Sequence, residues 1–518
     1  MRLENSARNL AIAWLGQALY VVVNFVTLGI FASLLSTDYN GVQGLFTQVL
    51  TILSLSELGV GSAIIYALYK PLAEGDTQKV RSLMRLFKRA YVVIGVVIAL
   101  FGFGLAPFIQ HLIKGSSSIP LDELRLYFVC FVLNSSVSYF FSYKGSLLFA
   151  DQKKYLVSMV QYGFQIVMCC SQIVVLLLTH NYLLFLVCMV CSTLGQNMVT
   201  AHIANRRYPY IKAKTPVEPI DAPTLATIKK NVFALVLHRI AGIATTPASS
   251  LIISLNINLL AVASYGYYTM VVTALVRIMD QLFDAILASV GNLAATESSE
   301  RQLGVFKTTF FINAILYAVT AIPLLCVFNV FIGELWVGED YLLPVVTCAL
   351  ITILYYLKGM RSAALSFTSA YGLYWFTRYK AIIETVVLLV LCVVLVVDFD
   401  IAGVVIAGII TTLAISTVYE GYMLFKHGLK SSSRWYFLRF ALYVGVTAVL
   451  GAGAYGICWV IPLGGALGFL VKGAVALAVS GGGFALLFGR TPEFRECTAL
   501  VRRLARGLKG RLKRPERS

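Results

Sequence analysis

The 518-residue chain is 59% hydrophobic and only 13% charged, yet its formal net charge is +18. A soluble core cannot absorb that much apolar surface, so a soluble globular protein is excluded. In a soluble protein this charge would suggest a nucleic-acid partner. Here the basic residues gather in every second loop, as the positive-inside rule for membrane proteins describes, and no nucleic acid is expected.

Apolar segments recur along the whole chain. Each matches the ~30 Å hydrocarbon core of a bilayer, where a helix satisfies its own backbone groups. The first segment is too long for a cleavable signal peptide and is expected to remain as the first span. About fourteen spans are predicted, near 9–35, 41–69, 88–113, 122–149, 155–179, 182–205, 229–255, 260–295, 302–329, 341–370, 376–398, 400–425, 434–460 and 465–489.

The loops fall into two classes by charge. Those after spans two, six and twelve are rich in Lys and Arg, whereas 36–40, 180–181, 256–258 and 398–400 are nearly free of them. This asymmetry predicts cytoplasmic N and C termini in a multi-pass protein of the cytoplasmic membrane.

A weak internal repeat divides the chain. The segment 31–46 resembles 253–268, with a short loop between two long spans in each, although apolar low-complexity sequence can imitate such a match. The Pro-containing loop that follows span six lies where two halves would join. We therefore predict an all-α polytopic fold with two six-helix lobes plus two C-terminal helices. The expected parts are an N-terminal lobe at 1–205, a cytoplasmic linker at 206–228, a C-terminal lobe at 229–430, two spans within 431–489 and a basic tail at 490–518. Six plus six spans is a transporter design with its site between the halves.

The C-terminal part stands outside the repeat. Spans thirteen and fourteen are rich in Gly and Ala, which allows either close helix packing or a groove lined by lipid. In the tail, Leu recurs every fourth residue from 500 to 512 among Arg and Lys. That spacing predicts an amphipathic helix on the anionic inner leaflet, with a solvated disordered tail as the alternative.

Acids inside spans are expensive and indicate function or pairing. Glu57 lies deep in span two among Ser and Gly, so we expect either a gating or coupling carboxylate or a structural helix–helix hydrogen bond. Asp280 and Asp284 follow Arg277 on one face of span eight, and Glu384 lies one turn inside span eleven. These three acids are also candidates for coupling and gating.

Basic residues lie deep in the second half. Arg239, next to His238, and Arg277 and Arg361 lie too deep for easy snorkelling and would make a cationic lumen. Guanidinium binds phosphate oxygens bidentately, so Arg239, Arg277, Arg361 and His238 are the predicted substrate-binding residues for a diphosphate. In contrast, Lys144, Arg378 and Lys380 are expected to snorkel to the inner interface.

Catalytic chemistry is not indicated. The sequence has no phosphate-binding Gly loop, no His-Glu-x-x-His and no paired carboxylates, so neither an enzyme, a metal site nor a cofactor is expected. Cys188 and Cys191 form a Cys-x-x-Cys, but they lie among apolar residues and are interpreted as buried inert thiols.

Short motifs carry a resemblance to a known family. Leu55-Ser-Glu-Leu-Gly-Val-Gly-Ser-Ala63 and the segment 69–73 resemble the second-span signature of Wzx-type polysaccharide repeat-unit flippases. Further matches lie at 150–155, 288–293, 359–361, 372–375 and 378–384. The family belongs to the multidrug/oligosaccharidyl-lipid/polysaccharide exporter superfamily. The resemblance implies alternating access and movement of an undecaprenyl-diphosphate-linked oligosaccharide from the inner to the outer leaflet, for capsule or cell-surface polysaccharide assembly.

The resemblance also implies partners, and the chain departs from the family in places. The expected partners are the lipid-linked oligosaccharide, membrane lipids, a polysaccharide polymerase and glycosyltransferases, with the protein itself a monomer. Charged residues common in relatives are replaced at Ser249-Ser250, Thr368-Ser369 and Thr377. Two other functions stay open: a multidrug/cation antiporter of the same superfamily, and a non-transporting membrane scaffold.

Overall fold

A computed structural model describes residues 2–54, 60–114, 118–151, 153–212, 219–221, 225–226, 246–296, 298–371 and 373–498. The regular structure within these ranges is helical. The chain divides into two compact units, one formed by Met1–Ser264 with Trp336–Tyr341, the other by Tyr265–Leu335 with Leu342–Ser518.

The first unit contains eight helices and the start of a ninth. They are α1 Arg2–Leu34, α2 Thr37–Leu53, α3 Val60–Glu74, α4 Thr77–Leu105, α5 Leu121–Ala150, α6 Lys154–Thr179, α7 Tyr182–Arg207, α8 Thr246–Asn256 and α9 Leu259–Thr296. Short 3₁₀ segments follow α4 at Ala106–Leu112 and α7 at Pro209–Lys212.

Helix ends in the first unit follow the local sequence. Asp76 caps α4 because its carboxylate accepts a hydrogen bond from the Lys79 amide at 2.9 Å. At the junction of α5 and α6, Asp151 accepts hydrogen bonds from Lys153 and from the Tyr208 hydroxyl. Burial and that bond to Asp151 raise the pKa of Tyr208, so the hydroxyl stays protonated as a donor. The segment 150–155, quoted above for its family resemblance, thus ties the start of α6 to the end of α7.

The second unit contains the remainder of α9 and seven further helices. They are α10 Ser299–Asn329, α11 Val345–Met360, α12 Ser362–Ala370, α13 Tyr374–Thr411, α14 Val418–Met423, α15 Arg434–Val460 and α16 Gly465–Phe488. Three π-helical segments lie at Val330–Trp336, Thr412–Thr417 and Leu424–Gly428. The 3₁₀ turn at Glu339–Tyr341 belongs to the first unit.

Helix α13 comprises two predicted spans. Asp400, in the predicted short loop at 398–400, has φ 51° and ψ −135°, which interrupts the helix. A Cβ on Gly403 would lie 2.1 Å from the Leu395 carbonyl oxygen, which shows that the chain folds back at Asp400. Only glycine permits that approach.

The all-α, multi-pass fold predicted from hydropathy is confirmed. Among the described residues, nine helices are long and apolar enough to cross a membrane. One span expected to be continuous is broken: span ten divides into α11 and α12 at Arg361. In span two, α2 and α3 flank residues 55–59, which lie outside the described residues.

Some predicted features cannot be placed. Glu57, His238, Arg239, most of the linker and the tail from 499 onward lie outside the described residues.

Candidate functional site: a buried charge cluster

Two carboxylates and two cations meet inside the second unit. Arg361 makes a bidentate ion pair with Glu420: Nε lies 2.8 Å from Oε2, and Nη2 lies 2.6 Å from Oε1. The two residues are only 8% and 2% exposed. Such a fork is the strongest geometry that a guanidinium and a carboxylate can adopt.

Lys380 joins this pair to a second acid. Its ammonium contacts Oε1 of Glu420 and lies 3.0 Å from Oε2 of Glu384. Glu384 also lies 3.9 Å from Nη1 of Arg361, the longest contact of the set. We refer to Arg361, Lys380, Glu384 and Glu420 as the charge cluster; its formal charges cancel.

Three spans supply the charge cluster. Arg361 lies at the break between α11 and α12, while Lys380 and Glu384 lie one turn apart on α13. Glu420 lies on α14, between two π-helical segments. A π-helical turn shifts the face that later residues present, and such turns are frequent at functional sites.

Helix α10 supports the break at Arg361. The fully buried Asn313 donates from Nδ2 to the carbonyl oxygens of Gly359 at 3.1 Å and Met360 at 3.0 Å. These carbonyls belong to the last turn of α11, which leaves such groups without intrahelical partners. The Tyr317 ring packs on Gly359 so closely that a Cβ there would lie 2.0 Å from it, and Tyr317 also bonds Ser362 at 3.2 Å.

A further cation and a tyrosine lie beside the charge cluster. Lys358, on the turn of α11 before Arg361, is exposed and close enough to Arg361 and Glu384 to interact with both electrostatically. Tyr436 is fully buried near Arg361 and Glu420, and its hydroxyl has no hydrogen-bond partner among the described residues. With Lys358 counted, three bases face two acids, so the local balance is one positive charge.

The predicted site residues fall in different environments. Arg361 and Glu384 lie in the charge cluster, and Arg277 and Asp280 are exposed on α9. Asp280 is close enough to Tyr317 to interact with it electrostatically. The backbone of Asp284 continues α9, but its side chain is outside the described structure, as are Glu57, His238 and Arg239.

One expectation about an individual cation needs correction. Lys380 does not snorkel to the interface, because it is only 9% exposed and its ammonium pairs with Glu384 and Glu420. The guanidinium of Arg361 is paired with Glu420, and its part in substrate binding remains a prediction. Proximity to the predicted cytoplasmic end of α13 favours snorkelling, but two nearby acids stabilise the buried position of Lys380 more effectively.

Sequence reasoning missed Glu420. The signal was an isolated Glu inside the twelfth apolar segment, five residues from its predicted end at 425. An acid at that depth needs a cationic partner, but the sequence alone does not identify which cation it is.

The charge cluster is sensitive to any ion that binds to it or leaves it. Removing one member leaves an uncompensated buried charge, so any ion that binds or dissociates here changes the balance of the whole cluster. Among the described residues, no group of three or more His, Cys, Asp and Glu side chains could hold a metal ion.

Solved structures share this fold. A multidrug resistance MATE family transporter of the MOP superfamily in an inward-facing conformation matches with a TM-score of 0.64 and 13% identity, over 79% of this chain and 95% of its own. The lipid II flippase MurJ in an inward closed conformation matches with a TM-score of 0.60 and 13% identity, over 91% and 99%. A MOP superfamily transporter from Pyrococcus furiosus Vc1, whose binding pocket is described as having reverse polarity, matches with a TM-score of 0.52 and 15% identity, over 83% and 96%.

The chain has the MOP superfamily transporter fold. No family model and no curated protein sequence matches it. The superfamily fold implied by the sequence resemblance is therefore confirmed, while the narrower Wzx-type assignment remains a prediction. At these identities the MOP transporter fold does not specify a substrate.

Proposed function

We propose that the protein is a flippase of the cytoplasmic membrane, with both termini on the cytoplasmic side. Its substrate would be an undecaprenyl-diphosphate-linked oligosaccharide, moved from the inner to the outer leaflet by alternating access for surface polysaccharide assembly. The Wzx-like motifs and the MOP fold support this assignment jointly.

The observation that carries the proposal is that Glu384 and Glu420 are each paired with basic residues. A cation antiporter would need acids that can receive a cationic drug. Glu420 is held by Arg361 and Lys380, and Glu384 is held by Lys380. The acids of the charge cluster are therefore occupied, and Lys358, which lies beside the cluster, adds a positive charge.

A diphosphate can exploit this arrangement. Phosphate oxygens approaching Lys358 would compete with Glu384 for Arg361 and Lys380, because the 3.9 Å contact between Arg361 and Glu384 is the longest in the cluster. Glu384 would then be released to bind a proton. In this proposal Arg361 contributes to substrate binding and Glu384 to coupling.

Structural similarity does not separate a flippase from an antiporter, because the MurJ match covers more of this chain and the MATE match has the higher TM-score, 0.64 compared with 0.60. The MurJ match covers 91% of this chain, compared with 79% for the inward-facing MATE transporter. We further propose that Arg239, Arg277 and His238 help to bind the diphosphate, and that Glu57, Asp280 and Asp284 contribute to coupling or gating.

A ligand-stabilisation experiment tests the substrate class. The purified protein would be heated with undecaprenyl diphosphate, with uncharged undecaprenol or with the lipophilic cation tetraphenylphosphonium. We expect the diphosphate to raise the melting temperature most, because only a ligand that binds the folded state with useful affinity stabilises it. Stabilisation by the cation but not by the diphosphate would favour the multidrug/cation antiporter instead.

A further inference from the structure

A cavity lies in the same unit as the charge cluster, lined by parts of α10, α11, α15 and α16. Its volume is about 160 Å³, and its walls include Cys326, Asn329, Cys348, Tyr455 and Lys472. No residue of the charge cluster lines it. The cavity is therefore a separate site.

Position along the helices places the cavity near one membrane interface. Asn329 ends α10, Val345 begins α11 and Trp459 is next to the end of α15. Lys472 lies two turns into α16, about 10 Å from its start at Gly465. With cytoplasmic termini, as proposed above, this interface is the outer one.

Polar contacts hold the walls of the cavity in place, and none of these contacts involves the ammonium group of Lys472. Asn329 accepts a hydrogen bond from the Tyr268 hydroxyl at 2.5 Å and donates to the Leu343 carbonyl at 3.2 Å. The Cys458 thiol contacts the Lys472 carbonyl at 3.5 Å, which joins α15 to α16. The cavity thus has a defined shape.

Lys472 has no counter-charge among the described residues. Within the described part of the chain its ammonium takes part in no ion pair or hydrogen bond, and none of the residues lining the cavity is acidic. The Glu334 carboxylate contacts the Gly465 amide at the start of α16. A Lys held at this depth is costly without an anion, and an anion that enters the cavity removes that cost.

The surroundings favour a lipid as the source of the anion. Trp459 is 80% exposed, and Val346 and Leu470 are 68% and 65% exposed on neighbouring helices. Exposed apolar and aromatic side chains at an interface contact acyl chains and headgroups. A free anion would gain nothing from this apolar rim.

We propose that the cavity binds the phosphate group of an anionic membrane phospholipid, with Lys472 as its counter-ion and the acyl chains along α15 and α16. The site does not depend on the transported substrate. Lipid bound here would hold the two C-terminal helices against α10 and α11.

Native mass spectrometry of the purified, delipidated protein tests the site with three probes: dioleoylphosphatidylglycerol, dioleoylglycerol and inorganic phosphate. Wild type is expected to bind the phosphatidylglycerol most tightly. Lys472→Gln should weaken that binding about tenfold, the effect of one lost charge-assisted contact. Lys472→Arg should retain it, and Arg434→Gln, which removes an exposed cation from the other end of the same helix pair, should leave it unchanged.

Each alternative has a distinct outcome. Equal binding of phosphatidylglycerol to wild type and Lys472→Gln would overturn the site, as would equal binding of the uncharged dioleoylglycerol. Inorganic phosphate that binds as tightly as the phospholipid, in a Lys472-dependent way, would overturn the lipid assignment. Because none of these probes carries a diphosphate or an oligosaccharide, a negative result here leaves the flippase proposal standing.

Discussion

At the scale of single residues, Glu420 determines the character of the site. One carboxylate contacts two buried cations, and each of those cations lies within 4 Å of a second acid, Glu384. Four charges can remain in a membrane segment because each is close to an opposite one. Such clusters contribute little net stability compared with apolar packing, but they are strongly destabilised when one member is removed.

Removal of the Glu420 charge should therefore destabilise the protein. Glu420→Gln leaves Arg361 and Lys380 with only Glu384 between them. We expect the free energy of unfolding to fall by about 3–5 kcal/mol, measured by denaturant unfolding in detergent micelles. Glu300→Gln, an exposed acid at the start of α10, is the matched control and should change little.

A double substitution separates charge balance from packing. Glu420→Gln combined with Lys380→Gln restores one acid to one base and should recover part of the lost stability. A double variant no more stable than Glu420→Gln alone would show that the effect arises from shape rather than charge.

Lys358 should affect transport without affecting stability. It is exposed, so Lys358→Gln removes the surplus positive charge but leaves the buried pairs intact. We expect the rate of substrate flipping in proteoliposomes to fall about tenfold, which corresponds to one lost charge-assisted contact with phosphate. An unchanged rate at equal reconstitution would exclude Lys358 from substrate binding, and Arg434→Gln serves as the control.

The buried charges could be predicted from the sequence only in part. Arg361 and Glu384 were recognised as deep charges, because their depth follows from counting along an apolar segment. Their partners were not recognised, because pairing requires Lys380 on α13 and Glu420 on α14 to approach the break after α11 in space. Nothing in the spacing of 361, 380 and 420 encodes that approach.

At the scale of helices, the break between α11 and α12 positions Arg361. Hydropathy is continuous across 341–370, so a single span was the natural prediction. The structure instead supplies outside partners for the last carbonyls of α11, through Asn313 on α10. By contrast, the reversal within α13 was predictable, since the sequence Asp398-Phe399-Asp400 interrupts an apolar run.

Two glycines test the importance of this break. In Gly359→Ala the added Cβ would lie 2.0 Å from the Tyr317 ring, so we expect a clear loss of thermal stability, on the scale of about 1–3 kcal/mol for overpacking. In Gly445→Ala, inside α15, nothing lies within 4 Å of the new Cβ, so stability should stay equal or rise slightly. Equal melting temperatures for the two variants would contradict the close packing of α10 on α11.

At the scale of the whole molecule, the sequence predicts the all-α multi-pass fold because bilayer thickness dictates the length of each apolar segment. The division into two compact units assigns Trp336–Tyr341 to the first unit and residues from Tyr265 onward largely to the second. The assignment of these six residues to the first unit depends on tertiary packing, which a hydropathy pattern does not predict.

Orientation in the membrane follows from loop charge and can be measured directly. Single cysteines introduced at Ser6 in the N-terminal region, at Thr215 in the linker and at Ser518 should react only with reagents that reach the cytoplasm. A cysteine at Asn181, in a loop nearly free of basic residues, should react from outside. Labelling of Thr215→Cys in intact cells by an impermeant reagent would reverse the proposed topology.

The most direct test is flipping by the reconstituted protein. Proteoliposomes would carry a fluorescent undecaprenyl-diphosphate-linked oligosaccharide, with an impermeant quencher added outside. We predict that the fluorescence protected in the inner leaflet is lost as the protein moves the lipid to the quenched leaflet, and that protein-free vesicles retain it. Retention of the protected pool by vesicles whose protein still transports a cationic dye would contradict the flippase assignment.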